Sequence, residues 1–234
     1  MSRGKAVHTA LEANYRQKIL SKKDLPAQDV KDVFSTAFDK EMDTVEIEKD
    51  FDPGAMKDST VHFIDAYQEN HAPKVQPAMV EEQFEIPLTQ TVCITGFIDL
   101  VQDFGSDLQV TQADKEEDLK GAPNKNLIIV DHKVGSKRAK TQNDADHDLQ
   151  LTLYAEAMHV PNVRFDSLLP ELRAIKMISS VRTPADIKFA LDVSLSIAQA
   201  ISTGIFPKTG QGTWKCSARF CPHYFECHDI PVVG

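Results

Sequence analysis

The sequence predicts an α/β chain in which a small mixed sheet flanked by helices follows a helical N-terminal part. Three observations predict it. Apolar residues recur at spacings of three and four through residues 1–75, period-two alternation takes over near Phe84, and Leu127 to Val130 form a short continuous apolar run. A run of that kind suits a central strand covered on both faces. The 234 residues are read as one domain: a helical part over 1–75, a core over 78–205 and a cysteine-containing tail over 206–234.

Each element has its own signal. Ala6, Val7, Ala10, Leu11 and Tyr15 make one face of a helix from Lys5 to Ile19, with His8 at the edge of that face. Val30, Val33, Phe34, Ala37 and Phe38 predict a second helix over Ala27–Met42, and Asp52-Pro53-Gly54 closes the connection that follows. Val61, Ile64, Ala66 and Tyr67 predict a third from about Ser59 to Asn70. Phe84, Ile86 and Leu88, then Val92, Ile94, Ile98, Leu100 and Val101, read as an antiparallel pair. The acidic stretch from Asp103 to Lys125 has little to bury and reads as a solvent loop or long hairpin tip. After the central strand come a helix from roughly Ala145 to His159, a strand over Leu172–Ile178, and a helix from Pro184 to about Thr203 that Gly204 and Pro207 stop.

Composition narrows the function classes. With 41% hydrophobic and 26% charged residues the chain has the make-up of a folded globular protein. No apolar run is long enough to cross a bilayer and no signal stretch follows Met1, so an intracellular, cytoplasmic protein is expected. The 26 Lys and Arg against 35 Asp and Glu give a charge of −9, which argues against coating nucleic acid through bulk basicity. A local grip through a bound cation is compatible with it. Four cysteines are too few for a disulfide scaffold.

The informative chemistry lies at two strand ends. Residues two apart in a strand share a face, so Asp131 and Lys133 project together, and an adjacent strand would bring Asp99 beside them. Two carboxylates and an ammonium suit a hard divalent cation, Mg²⁺ or Mn²⁺, with positions left open for water and a phosphate oxygen. The backbone carbonyl of His132 offers a further oxygen. An Asp-x-Lys triplet alone is weak, since it also describes a strand end meeting solvent. Gln150 and Tyr154, four apart on the following helix, stack one turn above the other.

Gly96-Phe97-Ile98-Asp99-Leu100-Val101, Ile129-Val130-Asp131-His132-Lys133 and Gln150-Leu151-x-x-Tyr154-Ala155 resemble, in order and spacing, motifs of the RecB-like branch of the PD-(D/E)XK nucleases. Gly4-Lys5-Ala6-Val7-His8-x-x-Leu11-Glu12 is similar to that branch's helical histidine motif, and Trp214-Lys215-Cys216 with Cys221-Pro222 and Cys227 resembles its tail. The resemblance is to RecB and AddB nuclease domains, to CRISPR-associated RecB-like exonucleases and to phage recombination nucleases. It implies a restriction-endonuclease-like core and Mg²⁺- or Mn²⁺-dependent hydrolysis of DNA, as an exonuclease on single strands or duplex ends in recombination, repair or phage replication. It implies metal-binding roles for Asp99, Asp131 and His8, a catalytic role for Lys133, and an active-site lining by Gln150 and Tyr154. An acidic residue belongs near Glu81, with Glu82 and Glu85 as rivals. Implied partners are DNA and a helicase, recombinase or single-strand-binding protein. The rival class is a catalytically silent or partner-dependent DNA-binding subunit of a helicase-nuclease assembly.

Several features depart from the family or stay open. Only seven residues precede His8, fewer than the family usually places there, and the upstream cysteine of its iron-sulfur members is absent. Cys216, Cys221 and Cys227 fit a zinc site with His223 or His228, an iron-sulfur cluster with Cys93, or plain buried thiols. Their four and five intervening residues exceed the spacing of a usual zinc pair, which favours plain thiols. Lys137, Arg138 and Lys140 form a basic run that either tracks a phosphate backbone or is a solvated loop. Trp214, Phe220, Tyr224 and Phe225 read either as a stacking platform or, preferentially, as packing around the cysteines.

Overall fold

A computed structural model of the chain describes residues 2–44, 52–104, 126–135, 137–206, 215–218 and 221–228. It divides into two compact units, Met1–Asp192 and Val193–Gly234. The first holds three N-terminal helices, α1 (Ser2–Ser21), α2 (Ala27–Met42) and α3 (Pro53–Asn70), and then a five-stranded sheet. The strands are β1 (Pro77–Pro87), β2 (Cys93–Asp103), β3 (Leu127–Val134), β4 (Asn162–Leu169) and β5 (Ala174–Val181), in spatial order β1-β2-β3-β4-β5. Only β3 and β4 run parallel. A parallel pair needs a crossover, and α4 (Gln142–Asp146) with α5 (Leu149–Met158) supplies it. Helix α6 (Pro184–Ser202) begins in the first unit, and the described part of the second also holds the single turn α7 (Tyr224–Cys227). Among the described residues no helix is long and apolar enough to cross a membrane.

The sheet has a core on each face. Ala6, Tyr15, Phe34, Phe63 and Tyr67 from α1–α3 pack with Val80, Leu100, Ile128 and Val130. On the other face Leu151, Tyr154 and Ala155 of α5 pack with Ile98, Ile129, Val163 and Phe165. Gly96 is dictated by the second core, because a Cβ there would lie 2.8 Å from Phe84 Cε1.

The structure moves several predicted boundaries. Helix α3 starts at Pro53 instead of Ser59, because the Asp52 side chain accepts the Ala55 N–H at 3.0 Å and Pro53 suits a first helical position. The single helix expected over Ala145–His159 is two, since Asp148 caps α5 by accepting the Leu151 N–H at 2.9 Å, while Thr141 and Asp144 form a capping box on α4. The last predicted strand begins at Ala174, after a 3₁₀ turn at Pro170–Leu172 and a left-handed Arg173 (φ 48°). The solvent loop or long hairpin tip expected between Asp103 and Lys125 lies almost wholly outside the described residues.

Strand β4, buried at every residue, has no counterpart among the predicted elements. Its polar positions hid it. Arg164 and Asp166, two apart and so on one face, form a bidentate pair at 2.6 and 2.8 Å, and Arg164 also donates to Gln102 Oε1 at 3.1 Å. His71 Nε2 lies 3.7 Å from Asp166. Burial opposes ionisation of Asp166, but Arg164 and His71 outweigh it and hold the carboxyl far below the usual range.

A group whose folded pKa is depressed contributes stability above its unfolded value, here about pH 4, and loses it as pH falls below. Asp166→Asn is expected to cost about 3–5 kcal/mol near neutral pH by leaving Arg164 buried without its counter-ion. Urea denaturation at pH 7 and pH 3 measures this, and the gap between wild type and variant shrinks at the lower pH.

Candidate active site

Two features of the sheet create the site. The first is a fork. Strands β2 and β3 pair from Asp103↔Leu127 to Leu100↔Val130, and the ladder ends there. Beyond it β2 continues along β1 as a hairpin arm, while β3 continues along β4 from Ile129↔Val163 to Val134↔Leu168. Asp99 and Asp131 are the first residues past the split. A side chain replaces the lost ladder bond there, as Asp99 Oδ2 accepts the His132 N–H at 2.7 Å.

The second is a change of facing. Val80 and Leu100 face α1–α3, whereas Phe84, Ile86 and Ile98 face α5, although period-two alternation would put Val80 with Phe84 and Leu100 with Ile98. Both strands change face together, at Glu81 and Asp99, and pairing on either side stays in register at Val80↔Leu100 and Glu82↔Ile98. Glu81 takes the left-handed conformation, φ 49°, that a glutamate mid-strand rarely adopts.

Groups from both faces therefore meet in one cleft of about 800 Å³, lined among others by Lys5, His8, Glu12, Glu41, Glu81, Asp99, Asp131, Lys133 and Gln150. His8 comes from α1 on one face. Its Nε2 lies 3.0 Å from the His132 carbonyl and its Nδ1 lies 3.4 Å from Asp99 Oδ1. A carbonyl only accepts, so Nε2 carries the proton and Nδ1 points at a carboxylate oxygen. Either a second ring proton or a cation satisfies that arrangement. Among the described residues, one group of three or more His, Cys, Asp or Glu gathers with ligand atoms within 4.8 Å of one another: His8, Glu81 and Asp99. One imidazole nitrogen and two carboxylates fit a divalent ion.

Asp131, Lys133 and Gln150 belong to the other face. Lys133 Nζ lies 2.8 and 3.0 Å from the two Asp131 oxygens and donates to Gln150 Oε1 at 3.0 Å, and Gln150 in turn donates to the Tyr154 hydroxyl. The stacking expected of Gln150 and Tyr154 thus becomes a strut behind the ammonium. The His132 ring is buried beneath the site and stacked on Tyr15, at 6.4 Å between centroids. Its carbonyl, expected as a ligand, is the group that faces His8.

Burial and the mutual repulsion of the carboxylates set the electrostatics of the cleft. Burial and the Asp99 charge push the Asp131 carboxyl up, against Lys133. Burial opposes ionisation of Asp99, yet His8 and the His132 N–H keep it below its ordinary value. Burial likewise opposes charge on His8, and Asp99, Asp131 and Glu81 together raise its pKa regardless. Burial drives His132 down to about 4, so its ring is neutral.

Of the other predicted residues, Lys137 and Arg138 are exposed, and Lys140 Nζ lies 5.2 Å from the centre of the Phe165 ring. Glu82 and Glu85 are exposed, and it is Glu81 that joins His8 and Asp99. Cys216 Sγ lies 3.4 Å from His228 Nε2, but no cysteine belongs to a metal-sized group among the described residues. Cys93 is an exposed thiol on β2. Trp214 and Phe220 lie outside the described residues, and Tyr224 packs against Phe225 and His228 in the second unit. Lys5 and Glu41, ion-paired at 3.2 Å across the cleft wall, were not singled out from the sequence, because nothing local marks the end of α2 as a neighbour of the start of α1.

The chain matches the model of the PD-(D/E)XK nuclease superfamily over residues 1–114 and 118–228, and it belongs to that superfamily. The mixed, helix-flanked sheet accords with the restriction-endonuclease-like fold, and the class so defined is a nuclease, a phosphodiester hydrolase that typically uses a divalent ion such as Mg²⁺ or Mn²⁺. No curated protein matches the sequence. The crystal structure of SSO0001 aligns over 99% of this chain and 87% of that chain at 12% identity, with a TM-score of 0.40, a likeness too slight to bear on fold or function.

Proposed function

We propose that the chain is a Mg²⁺- or Mn²⁺-dependent deoxyribonuclease with its active centre at the fork between β2 and β3. The observation that carries this reading is the meeting of His8, Glu81 and Asp99 with the Asp131–Lys133 pair in one cleft of a superfamily member. In this reading His8, Glu81 and Asp99 hold the ion, with Asp131 beside them. The bound ion supplies Lewis-acid charge against the negative charge that builds on the phosphate during attack.

The side chains do the rest. Asp131 keeps the Lys133 ammonium at the cleft, and Gln150 fixes it from the opposite side. Lys133, one third exposed, donates into the cleft to orient the attacking water or to stabilise a phosphate oxygen. The His132 N–H fixes Asp99, so that the carboxylate costs no reorganisation when the ion enters. Exonuclease action on single strands or duplex ends, in recombination, repair or phage replication, is the finer reading that the RecB-like motifs support. One observation favours a partner-dependent version. Glu12, Glu41, Glu81, Asp99 and Asp131 outnumber Lys5, His8 and Lys133 in the cleft lining, so unaided loading of a polyanion is electrostatically poor.

End-labelled single- and double-stranded DNA, incubated with Mg²⁺, Mn²⁺ or EDTA, tests the reading. Wild type is expected to give products only with the ions, and Lys133→Ala to lower the rate about 10²–10⁴-fold. Absence of products with every ion, restored by a helicase or single-strand-binding partner, selects the partner-dependent version; absence under all conditions rejects catalysis.

Ion binding has its own readout. Mn²⁺ at about 100 times its dissociation constant is expected to stabilise wild type by about 2.7 kcal/mol in a thermal melt, and Asp99→Ala to abolish the shift. Gln150→Ala leaves that Mn²⁺ shift intact while slowing cleavage, because it loosens Lys133 and not the ligands; an equal loss of both would contradict the strut.

A further inference from the structure

The hairpin arm beyond the fork carries a side chain that the fold does not use. Past Asp99 the face of β1–β2 turned away from α5 bears Gln83, Glu85, Thr95 and Phe97, all exposed. Three of the four are polar, as a solvated strand face requires. Phe97 is the exception, 55% exposed and two residues before Asp99 along β2, which places their Cα atoms about 6–7 Å apart. Its neighbour Ile98 is fully buried against α5, so Phe97 has no place in that core. A single exposed apolar residue needs no explanation by itself. An aromatic ring on an otherwise polar surface, two residues along the strand from Asp99 of the cleft lining, points to a flat ligand.

The surrounding charge says which part of a nucleotide that is. Glu85 stands on the same face, Glu81 adjoins the cleft, and Gln83 pairs directly across from Phe97. A phosphate would be repelled there. A base is neutral, carries N–H donors for glutamate and glutamine, and presents a face to stack on the ring. We propose that Phe97 is the platform on which an unpaired base beside the scissile phosphate stacks, so that the site takes single-stranded or frayed nucleic acid in preference to intact duplex. This rests on the nuclease reading above. A base paired and stacked within a duplex cannot offer its face to the ring without first being unpaired.

The test compares wild type, Phe97→Leu and Phe97→Trp on single-stranded oligonucleotides with a natural or an abasic nucleotide next to the cut, in Mn²⁺. Thermal melts confirm that each variant is folded. Phe97→Leu keeps the apolar bulk and removes the ring, so kcat/KM on the natural strand is expected to fall about 5- to 150-fold. Phe97→Trp retains activity. The abasic substitution costs wild type a similar factor and Phe97→Leu almost nothing more, because ring and base are the two halves of one contact. In Ca²⁺, a 2-aminopurine at that position is quenched on binding to wild type and not to Phe97→Leu. A wild type that cuts, with Phe97→Leu equal to it or with the two losses multiplying, overturns the platform alone. A wild type that cuts nothing, alone or with a helicase or single-strand-binding partner, removes the nuclease reading and the platform with it.

Discussion

The parting of β2 from β3 after Leu100↔Val130 is the constraint on which the rest depends. An unbroken sheet would separate the α1 face from the α5 face, and His8 could not share a cleft with Lys133 and Gln150. The fork removes that barrier at Asp99 and Asp131. The cost of opening a sheet is a row of unpaired backbone groups, and the Asp99 carboxylate offsets part of it by taking the His132 N–H. One side chain thus closes the fork and presents its other oxygen to His8.

The same geometry accounts for the charge pattern. Asp131 is buried, Asp99 is half-buried, and their like charges compete, so that Asp99 stays below its ordinary value while Asp131 is pushed up. Structural ion pairs lower carboxylate pKa values, as Arg164 and Asp166 illustrate one strand away. The Asp131 carboxyl is raised although Lys133 touches it, because burial and the Asp99 charge outweigh the ammonium. The left-handed backbone at Glu81 belongs to the same account, since the facing change it makes in β1 matches the change at Asp99 in β2.

What the sequence made legible follows from distance along the chain. Asp131, His132 and Lys133 lie on three consecutive residues, and Gln150 and Tyr154 lie one helical turn apart, so their mutual placement was readable from periodicity alone. The helix of His8 was readable for the same reason, but its position over the fork depends on the packing of α1 against the sheet. Glu81 could not be separated from Glu82 and Glu85, because the choice is made by a backbone angle that no spacing encodes. Strand β4 was missed because Arg164 and Asp166 neutralise each other inside the core, where a pattern reading counts them as surface. The fork itself is a matter of which strand each half of β2 and β3 pairs with, information that resides in four segments at once.

Anomalous diffraction from crystals of the protein grown with Mn²⁺ tests the central claim most directly. The account predicts a peak within ligand distance of His8 Nδ1, Glu81 and Asp99, with the His132 N–H still bound to Asp99. A Mn²⁺ ion bound elsewhere in the chain, or a fork closed by a continuous β2–β3 ladder, would contradict it.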